Sequence, residues 1–354
     1  MINSYFMDSA EKNNVWKAFP KVELHRHLEG TFNIETLFRI AKKNKLDVPE
    51  DIASFKQAFQ FPREAPPDFH LFLSKFKNTW YRSLEDVYDI VYESVKTFKN
   101  DNLFYVELRF NPEHFALYND FDRAEVTNLI IDAGNKAALE TGLKITYIIS
   151  FNRGQFEQDY FISLYNKLLA LGRPEIVGVD LAGDESNYPV KQFSRLFNAI
   201  TSDARWKATI HAGEVTPPSE IWEALKLGAS RIGHGTSSIQ DPKLPPCLAE
   251  RGIVLEQCIT SNHQTGSWPD EQTHPLGVLY RMGTPVTINS DDPSIQNTEL
   301  SDDYAKAERY FSFVQEDFIK LNFTAIEGCF LPEKEKERLK AEYRQALDGF
   351  KAGL

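Results

Sequence analysis

Cysteine is scarce in this sequence of 354 residues, which contains only Cys247, Cys258 and Cys329. No two of them form a CxxC pair, so the spacing argues against both a disulfide framework and a cysteine-rich zinc site. We therefore expect three reduced and partly buried thiols.

The sequence also lacks a long apolar run and an excess of positive charge. No stretch of about 18 apolar residues occurs, so we expect no membrane span. The formal net charge of -11 argues against nucleic acid as a partner, whereas a small neutral or cationic substrate is compatible with it. The start of the chain has no basic region followed by an apolar core, so we expect no signal peptide and a cytoplasmic location.

Histidine is also rare, with eight residues in all, but its distribution is uneven. Four of the eight lie in three short motifs: His25 and His27 in ELHRHLEG, His211 in HAGE, and His234 in RIGHG. A fourth motif, NSDDP, supplies Asp291 and Asp292. Imidazole and carboxylate together are typical ligands of a borderline divalent metal such as zinc.

Eight β-rich runs alternate with helical patterns along the chain. They cover residues 21–27, 103–110, 143–150, 175–183, 207–213, 231–235, 252–258 and 285–292. Repetition of strand and helix in this way predicts parallel strands joined by right-handed crossovers. A (β/α)8 TIM barrel and an open doubly wound sheet both fit the pattern, and the barrel is favoured because every metal-ligand candidate then falls at the C-terminal end of a strand.

We predict an α/β protein with one barrel domain over residues 1–354. The 33–100 segment is too long for one crossover, so extra helices must lie between the first two strands. The pattern of residues 294–354 predicts a helical tail. Phe72 and Phe76 lie one turn apart within the inserted segment. They indicate either an apolar lid over a flat substrate or plain helix packing.

His25 and His27 are two residues apart on a strand, so both side chains point to one face and can grip one ion. The alternative is a pair of polar core histidines. His211 offers a third imidazole and Asp291 an anionic ligand, a set that suits zinc and leaves room for a water.

Three further residues are candidates for the chemistry. Glu214 lies three residues beyond His211 and can carry a proton if burial raises its pKa, unless it caps a helix. His234 fits a general base for the water at the metal, or a further metal ligand. Adjacent residues of an extended strand face opposite ways, so Asp292 should face the substrate or a structural partner, or form a surface salt bridge.

The motifs ELHRHLEG, GVDLAGDE, HAGE, RIGHG, EQCITSN and NSDDP, in this order, resemble those of the adenosine deaminase family. The resemblance runs from about residue 20 to residue 345. It implies a (β/α)8 barrel that holds one zinc ion and hydrolyses an aminopurine.

By the same resemblance, His25, His27, His211 and Asp291 hold the zinc. Glu214 protonates purine N1, and His234 takes the proton from the zinc-bound water. Asp291 also orients the attacking oxygen, Asp292 contacts N7, and the Gly183 amide contacts N3. The implied reaction converts adenosine or 2'-deoxyadenosine to inosine or 2'-deoxyinosine with release of ammonia.

One residue departs from the family pattern. Glu29 stands in HLEG, where adenosine deaminases usually have an aspartate that meets the ribose 5'-hydroxyl. Relatives that act on free adenine commonly carry this glutamate. The other motifs are similar to those of the nucleoside enzymes, so adenosine is favoured, with adenine or a modified aminopurine as the alternative.

Other classes fit less well. A two-metal amidohydrolase generally needs a lysine at the end of the fourth strand, and DLAGDE contains none. A base deaminase with a cysteine-rich zinc site needs PCxxC, which is absent. A non-catalytic binding protein with a relic metal site would be expected to lose Glu214 or His234, and both are present.

Overall fold

The computed structural model describes residues 15–62 and 65–352. Eight parallel strands form one sheet in sequence order, each paired with the next. They are β1 Lys21–His27, β2 Leu103–Phe110, β3 Lys144–Arg153, β4 Ile176–Gly183, β5 Lys207–Ala212, β6 Arg231–His234, β7 Val254–Gln257 and β8 Val286–Ile288. The parallel order without inserted strands confirms the predicted connectivity.

The sheet closes on itself where the chain leaves β8. The His27 amide donates to the Asp291 carbonyl at 2.9 Å, and the Asp291 amide donates to the His25 carbonyl at 3.1 Å. The side-chain oxygen of Asn289 accepts from the Leu24 amide at 3.0 Å. These bonds join the first and last strands, so the sheet is a barrel and the open doubly wound alternative is excluded.

Helices surround the barrel. Extra helices lie between β1 and β2, as predicted, and within the described residues they are α1 Ile34–Lys43, α2 Ile52–Phe59, α3 Phe69–Leu73 and α4 Leu84–Thr97. The following crossovers contain α5 Pro112–Ala116, α6 Arg123–Thr141, α7 Gln158–Leu169, α8 Ser194–Asp203, α9 Pro218–Lys226, α10 Leu244–Glu250, α11 Ile259–Gln264 and α12 Leu276–Arg281. The tail is helical, as predicted: α13 Pro293–Gln296, α14 Leu300–Phe311, α15 Gln315–Gly328 and α16 Glu333–Ala352.

Local sequence sets where the inserted helices begin. The side chains of Asn33, Asp51, Asp68 and Ser83 each accept a hydrogen bond from a backbone amide in the first turn of the helix that follows. Such caps satisfy amide groups that have no partner within the helix. The segment therefore breaks into four separate helices that can wrap over one end of the barrel.

Charged side chains fill part of the barrel interior. Arg109 and Arg231 are both fully buried, and each donates to Glu256. Arg109 also pairs with Asp180 at 3.3 Å, and Arg231 pairs with Glu107 at 2.7 Å. Each buried charge thus has an opposite charge in contact, which buried ions require. No helix of the described ranges is long and apolar enough to cross a membrane.

The predicted end of β8 is wrong. The run was predicted as a strand to residue 292, but β8 ends at Ile288, and Asp291 has a left-handed backbone with φ +65°. The alternation of an extended strand therefore does not reach Asp291 and Asp292. As a result, both side chains face the same cavity rather than opposite sides.

Candidate active site

The four side chains predicted as metal ligands converge at the C-terminal mouth of the barrel. The ligand atoms of His25, His27, His211 and Asp291 all lie within 4.8 Å of one another. Asp291 Oδ1 is 3.1 Å from His25 Nε2 and 3.4 Å from His27 Nε2. Two ligands on a tetrahedral zinc are about 3.3 Å apart, given bond lengths near 2.1 Å, so these separations fit a shared ion.

Carboxylates behind the histidines decide which ring nitrogen faces the centre. His25 Nδ1 lies 2.7 Å from Glu256 Oε2, and His211 Nδ1 lies 2.9 Å from Asp180 Oδ1. A carboxylate only accepts, so each Nδ1 carries the proton and each Nε2 keeps its lone pair for the ion. His25 Nε2 is buried and has no hydrogen-bond partner, as expected of an atom placed to bind a metal. The polar-core alternative leaves this atom unexplained.

Asp180 remains a carboxylate despite its position. Burial alone would raise the pKa of Asp180, but the contacts with His211 and Arg109 outweigh it and hold that pKa well below its usual value. An ionised Asp180 therefore fixes the tautomer of His211.

Glu214 is buried beside the metal ligands. Burial raises the pKa of Glu214 well above its usual value, and the negative charges of Glu185 and Asp291 add to the shift. Thr265 donates to Glu214 Oε1 at 3.1 Å. The helix that follows begins beyond Pro217, which makes no side-chain cap, so Glu214 is not a helix cap. This carboxyl group is suited to keep a proton near neutral pH and to donate it.

His234 faces the same space from the end of β6. Its Nε2 lies 3.6 Å from Glu214 Oε2 and 3.8 Å from Asp291 Oδ2. Its backbone is left-handed at φ +56°, and the amide of the Gln257 side chain donates to its carbonyl. Burial lowers the pKa of His234 well below its usual value, so the ring is neutral at physiological pH.

A cavity of about 250 Å³ opens onto these groups. Its polar wall includes Glu214, His234, Asp292 and Gly183, where the backbone turns left-handed at φ +91°. Asp292 is buried, which excludes a surface salt bridge, and its Oδ1 has no hydrogen-bond partner. Burial raises the pKa of Asp292 well above its usual value, and the Asp291 charge adds to this.

The apolar part of the cavity lining comes from α3 and the residues after it. Its members are Phe69, Phe72, Leu73 and Phe76. The Phe72 ring is 5.8 Å from that of Phe76 and 6.1 Å from that of Phe61. Phe72 therefore packs against other aromatic rings and also lines the cavity. Helix packing and a place beside the substrate, the two alternatives for this residue, are compatible with each other.

Glu29 lines a second cavity of about 200 Å³, which adjoins the first and shares His27, Phe76 and Asn152 with it. The Glu29 carboxyl group is buried. Its Oε1 accepts from the Asn111 amide at 2.5 Å, while Oε2 has no partner. This residue is therefore placed to meet a substituent that extends from a molecule in the larger cavity.

Several residues that shape the site were not predicted from the sequence. Glu256 orients His25, Ser261 donates to Asp291 Oδ2 at 2.6 Å, and Asn262 contacts His234 Nδ1 at 3.1 Å. All three belong to the motif EQCITSN, which the sequence had already marked. The motif gives the position of these residues but not the atoms they contact, because those contacts cross from one strand end to another.

Comparison with known proteins agrees with this geometry. The profile described as adenosine deaminase matches residues 20–346. An adenosine deaminase of Aliivibrio fischeri is 33% identical over 330 residues, covering 92% of this chain and 97% of the relative.

Solved structures share the fold. An adenine deaminase from Arthrobacter aurescens superposes with a TM-score of 0.83 at 24% identity, over 93% of this chain and 99% of that one. A zinc-bound amidohydrolase from Burkholderia ambifaria gives a TM-score of 0.86 at 23% identity, over 99% and 97% of the two chains. Taken with the converging histidines and acids, the match over nearly the whole chain shows that this protein belongs to the adenosine deaminase family.

Proposed function

We propose that this protein catalyses the hydrolytic deamination of adenosine and 2'-deoxyadenosine to inosine and 2'-deoxyinosine, with release of ammonia. One zinc ion would be held by His25, His27, His211 and Asp291. The observation that carries the proposal is the placement of Glu214 and His234 in one cavity with three of these ligands, His27, His211 and Asp291. The similarity to adenosine deaminases over 92% of the chain supports the same substrate.

The donor set fits zinc. Three imidazoles and one carboxylate bring their ligand atoms within 4.8 Å of one another, and carboxylates fix the tautomer of two of the imidazoles. When bound, a zinc ion lowers the pKa of a coordinated water to about 7 and so supplies the nucleophile.

The protein groups would act on the purine ring. Glu214, with its raised pKa, donates a proton to N1, which draws electron density from C6. Asp292, also with a raised pKa, donates a hydrogen bond to N7, and the Gly183 amide meets N3. The oxygen of the water adds to C6, the amino group leaves as ammonia, and a carbonyl remains at C6.

The helices of the 33–100 segment would cover the bound purine. Phe69, Phe72 and Phe76 contribute apolar rings to the lining of the same cavity as Glu214 and Asp292. Such rings exclude water and stack on a flat base. We propose that this segment acts as the lid of the site.

A second substrate class, free adenine or a modified aminopurine, is favoured by one observation. The longer Glu29 side chain lines the smaller cavity, and its buried Oε2 has no hydrogen-bond partner. In a nucleoside complex this cavity would hold the ribose. In an adenine complex the Glu29 carboxyl group would occupy part of the space that the ribose fills in a nucleoside complex.

The test is a side-by-side assay of adenosine, 2'-deoxyadenosine and adenine, followed by absorbance and ammonia release, with the zinc content of the same sample measured. We expect a higher kcat/KM for the two nucleosides and about one zinc per chain. A preference for adenine would replace the nucleoside assignment.

In that case Glu29→Asp should raise the ratio of adenosine to adenine turnover. Glu35→Asp, on the surface of α1, should leave this ratio unchanged.

A further inference from the structure

A chain of hydrogen bonds runs from the backbone of α12 to His234. It begins at the Leu276 amide, which donates to His274 Nδ1 at 3.2 Å. A backbone N–H can only donate, so His274 Nδ1 carries the lone pair. Burial and the nearby charge of Lys306 lower the pKa of His274 to about 3, so this ring is neutral and its proton lies on Nε2.

The next bond fixes the carboxamide of Asn262. His274 Nε2 lies 3.0 Å from Asn262 Oδ1, and both groups are buried. The Nε2 proton requires an acceptor, which is the carboxamide oxygen. The reversed amide would set its NH2 group against that proton, so Asn262 Nδ2 must point the other way.

The last bond reaches the candidate catalytic histidine. Asn262 Nδ2 lies 3.1 Å from His234 Nδ1. Since Nδ2 only donates, His234 Nδ1 accepts, and a neutral His234 ring then has its proton on Nε2. That nitrogen points toward Glu214 Oε2 at 3.6 Å and Asp291 Oδ2 at 3.8 Å, both beyond hydrogen-bond distance, so its proton remains available to a bound molecule.

We propose that Asn262 and His274 are positioning residues that hold His234 in the Nε2–H tautomer, so that His234 donates a hydrogen bond into the site. This inference rests on the proposed function. It departs from the role implied by the family resemblance, in which His234 takes the proton of the attacking water. A neutral imidazole with its proton on Nε2 has no lone pair there, so it can be neither that base nor a further metal ligand.

The contrast with the metal ligands shows how one residue type serves two purposes. His25 and His211 face carboxylates through Nδ1 and keep the Nε2 lone pair. His234 faces an amide donor through Nδ1 and keeps the Nε2 proton. As a donor, His234 stabilises the negative charge that develops on the oxygen of the water as its proton leaves. The proton of the water can leave to solvent, because the metal supplies its acidity.

The backbone of Asn262 and the backbone of His234 are each held by a further hydrogen bond. The Trp268 amide donates to the Asn262 carbonyl at 2.8 Å, and the left-handed backbone of His234 is tied to the Gln257 side chain. These bonds fix the backbone of both residues and so keep the carboxamide and the ring within hydrogen-bond distance of each other.

The test is a ¹⁵N spectrum of the histidine ring nitrogens in the zinc-loaded protein, with the His234 signals assigned by substitution. We expect a protonated Nε2 and an unprotonated Nδ1 for His234 and His274. His263 is an internal reference of the opposite kind, because its Nδ1 lies 2.6 Å from the Pro269 carbonyl and must donate. A protonated Nδ1 at His234 would overturn the proposal whatever the activity, while loss of all deaminase activity with the expected spectrum would overturn only the proposed function.

Two pairs of variants test the effect on catalysis. Asn262→Asp turns the donor into an acceptor, so we expect the His234 proton to move to Nδ1 and kcat to fall by about 10²-fold, the usual effect of losing a donor to a developing oxyanion. KM and zinc content should change little, and His263→Gln should behave as the wild type.

His274→Gln keeps a donor to Asn262 and should preserve the His234 tautomer, whereas His274→Leu should not. Unchanged kcat and tautomer in both Asn262→Asp and His274→Leu would contradict the inference.

Discussion

At the scale of single residues, the site depends on side chains whose protonation is set by one neighbour each. Asp180 and Glu256 keep protons on Nδ1 of His211 and His25, and Glu185 adds to the burial that keeps a proton on Glu214. None of these neighbours touches the cavity centre. Conservative substitutions that alter only charge or hydrogen-bond direction are therefore the informative experiments.

Glu214→Gln removes the proposed proton donor while keeping the shape of the side chain. We expect kcat/KM for adenosine to fall by about 10²-fold or more, because general acid catalysis contributes roughly 10²–10⁴-fold. The zinc content should remain at the wild-type level, since Glu214 is not among the four clustered ligands. Glu250→Gln, on the exposed end of α10, is the matched control. Wild-type turnover in Glu214→Gln would show that another group protonates N1.

Asp180→Asn removes the charge that holds His211 in the Nδ1–H tautomer. Loss of such an outer partner typically weakens metal binding by about 10–100-fold. Competition with a chelator should therefore show a higher zinc dissociation constant in this variant. Asp184→Asn, at the rim of the same cavity, should keep the wild-type affinity. Equal affinities in the two variants would argue that Asp180 serves packing alone.

At the scale of helices and strands, short helices at the mouth of the barrel position the catalytic groups. α11 carries Ser261 and Asn262 to Asp291 and His234, and Thr265 follows directly after it. α14 packs behind α11, where Thr260 donates to the fully buried Asp303. The site is thus supported by a polar contact between two helices of distant sequence.

This contact should make stability depend on pH. Burial raises the pKa of Asp303 to about 7, although Lys306 opposes the shift. Because the folded state holds this proton more tightly than the unfolded chain, the contribution is present below pH 4 and is lost as the pH rises to about 7. Three pKa units correspond to about 4 kcal/mol.

Asp303→Asn removes this titration. The free energy of unfolding of the variant, relative to the wild type, should therefore increase between pH 4 and pH 7 and then level off. Denaturant unfolding at several pH values measures it, and Asp348→Asn, exposed on α16, is the control. A difference between variant and wild type that is independent of pH would contradict the assignment.

At the scale of the whole molecule, the barrel exists because β8 and the residues after it close onto β1. Asn289 joins both sides of this seam: its oxygen accepts from the Leu24 amide, and its nitrogen donates to Thr287 Oγ1 at 3.0 Å and to the Gln257 carbonyl. All of these groups are buried, so water cannot replace the bonds. The proposed metal ligands on β1 and after β8 depend on the same seam.

Asn289→Ala should destabilise the fold by about 1–3 kcal/mol, because it leaves the buried Leu24 amide without an acceptor. The midpoint of urea unfolding, measured with zinc in excess, should fall, and the Leu24 amide should exchange faster with deuterium. Asn198→Ala, on the exposed face of α8, should change neither quantity. Unaltered exchange at Leu24 would show that the seam is held by its backbone bonds alone.

Much of the architecture followed from the sequence. Alternating strand and helix patterns predicted the barrel, and the length of the 33–100 segment predicted extra helices there, without their number. Parallel strands place their C-terminal ends at one edge, so the histidine and aspartate motifs could be expected to meet there. The alternation of strand and helix patterns is a local property of the chain, which is why it can be recognised from the sequence alone.

Other properties were decided only by the tertiary structure. The early end of β8 and the left-handed Asp291 arise from closure of the barrel, which no local pattern encodes. The burial of Glu214 involves residues from different strand ends, and so does the hydrogen bond from Asn262 to His234. The sequence by itself therefore determined which chemical groups the protein brings to its site. The fold decided which of them carry protons, because protonation depends on burial and on neighbours that are distant along the chain.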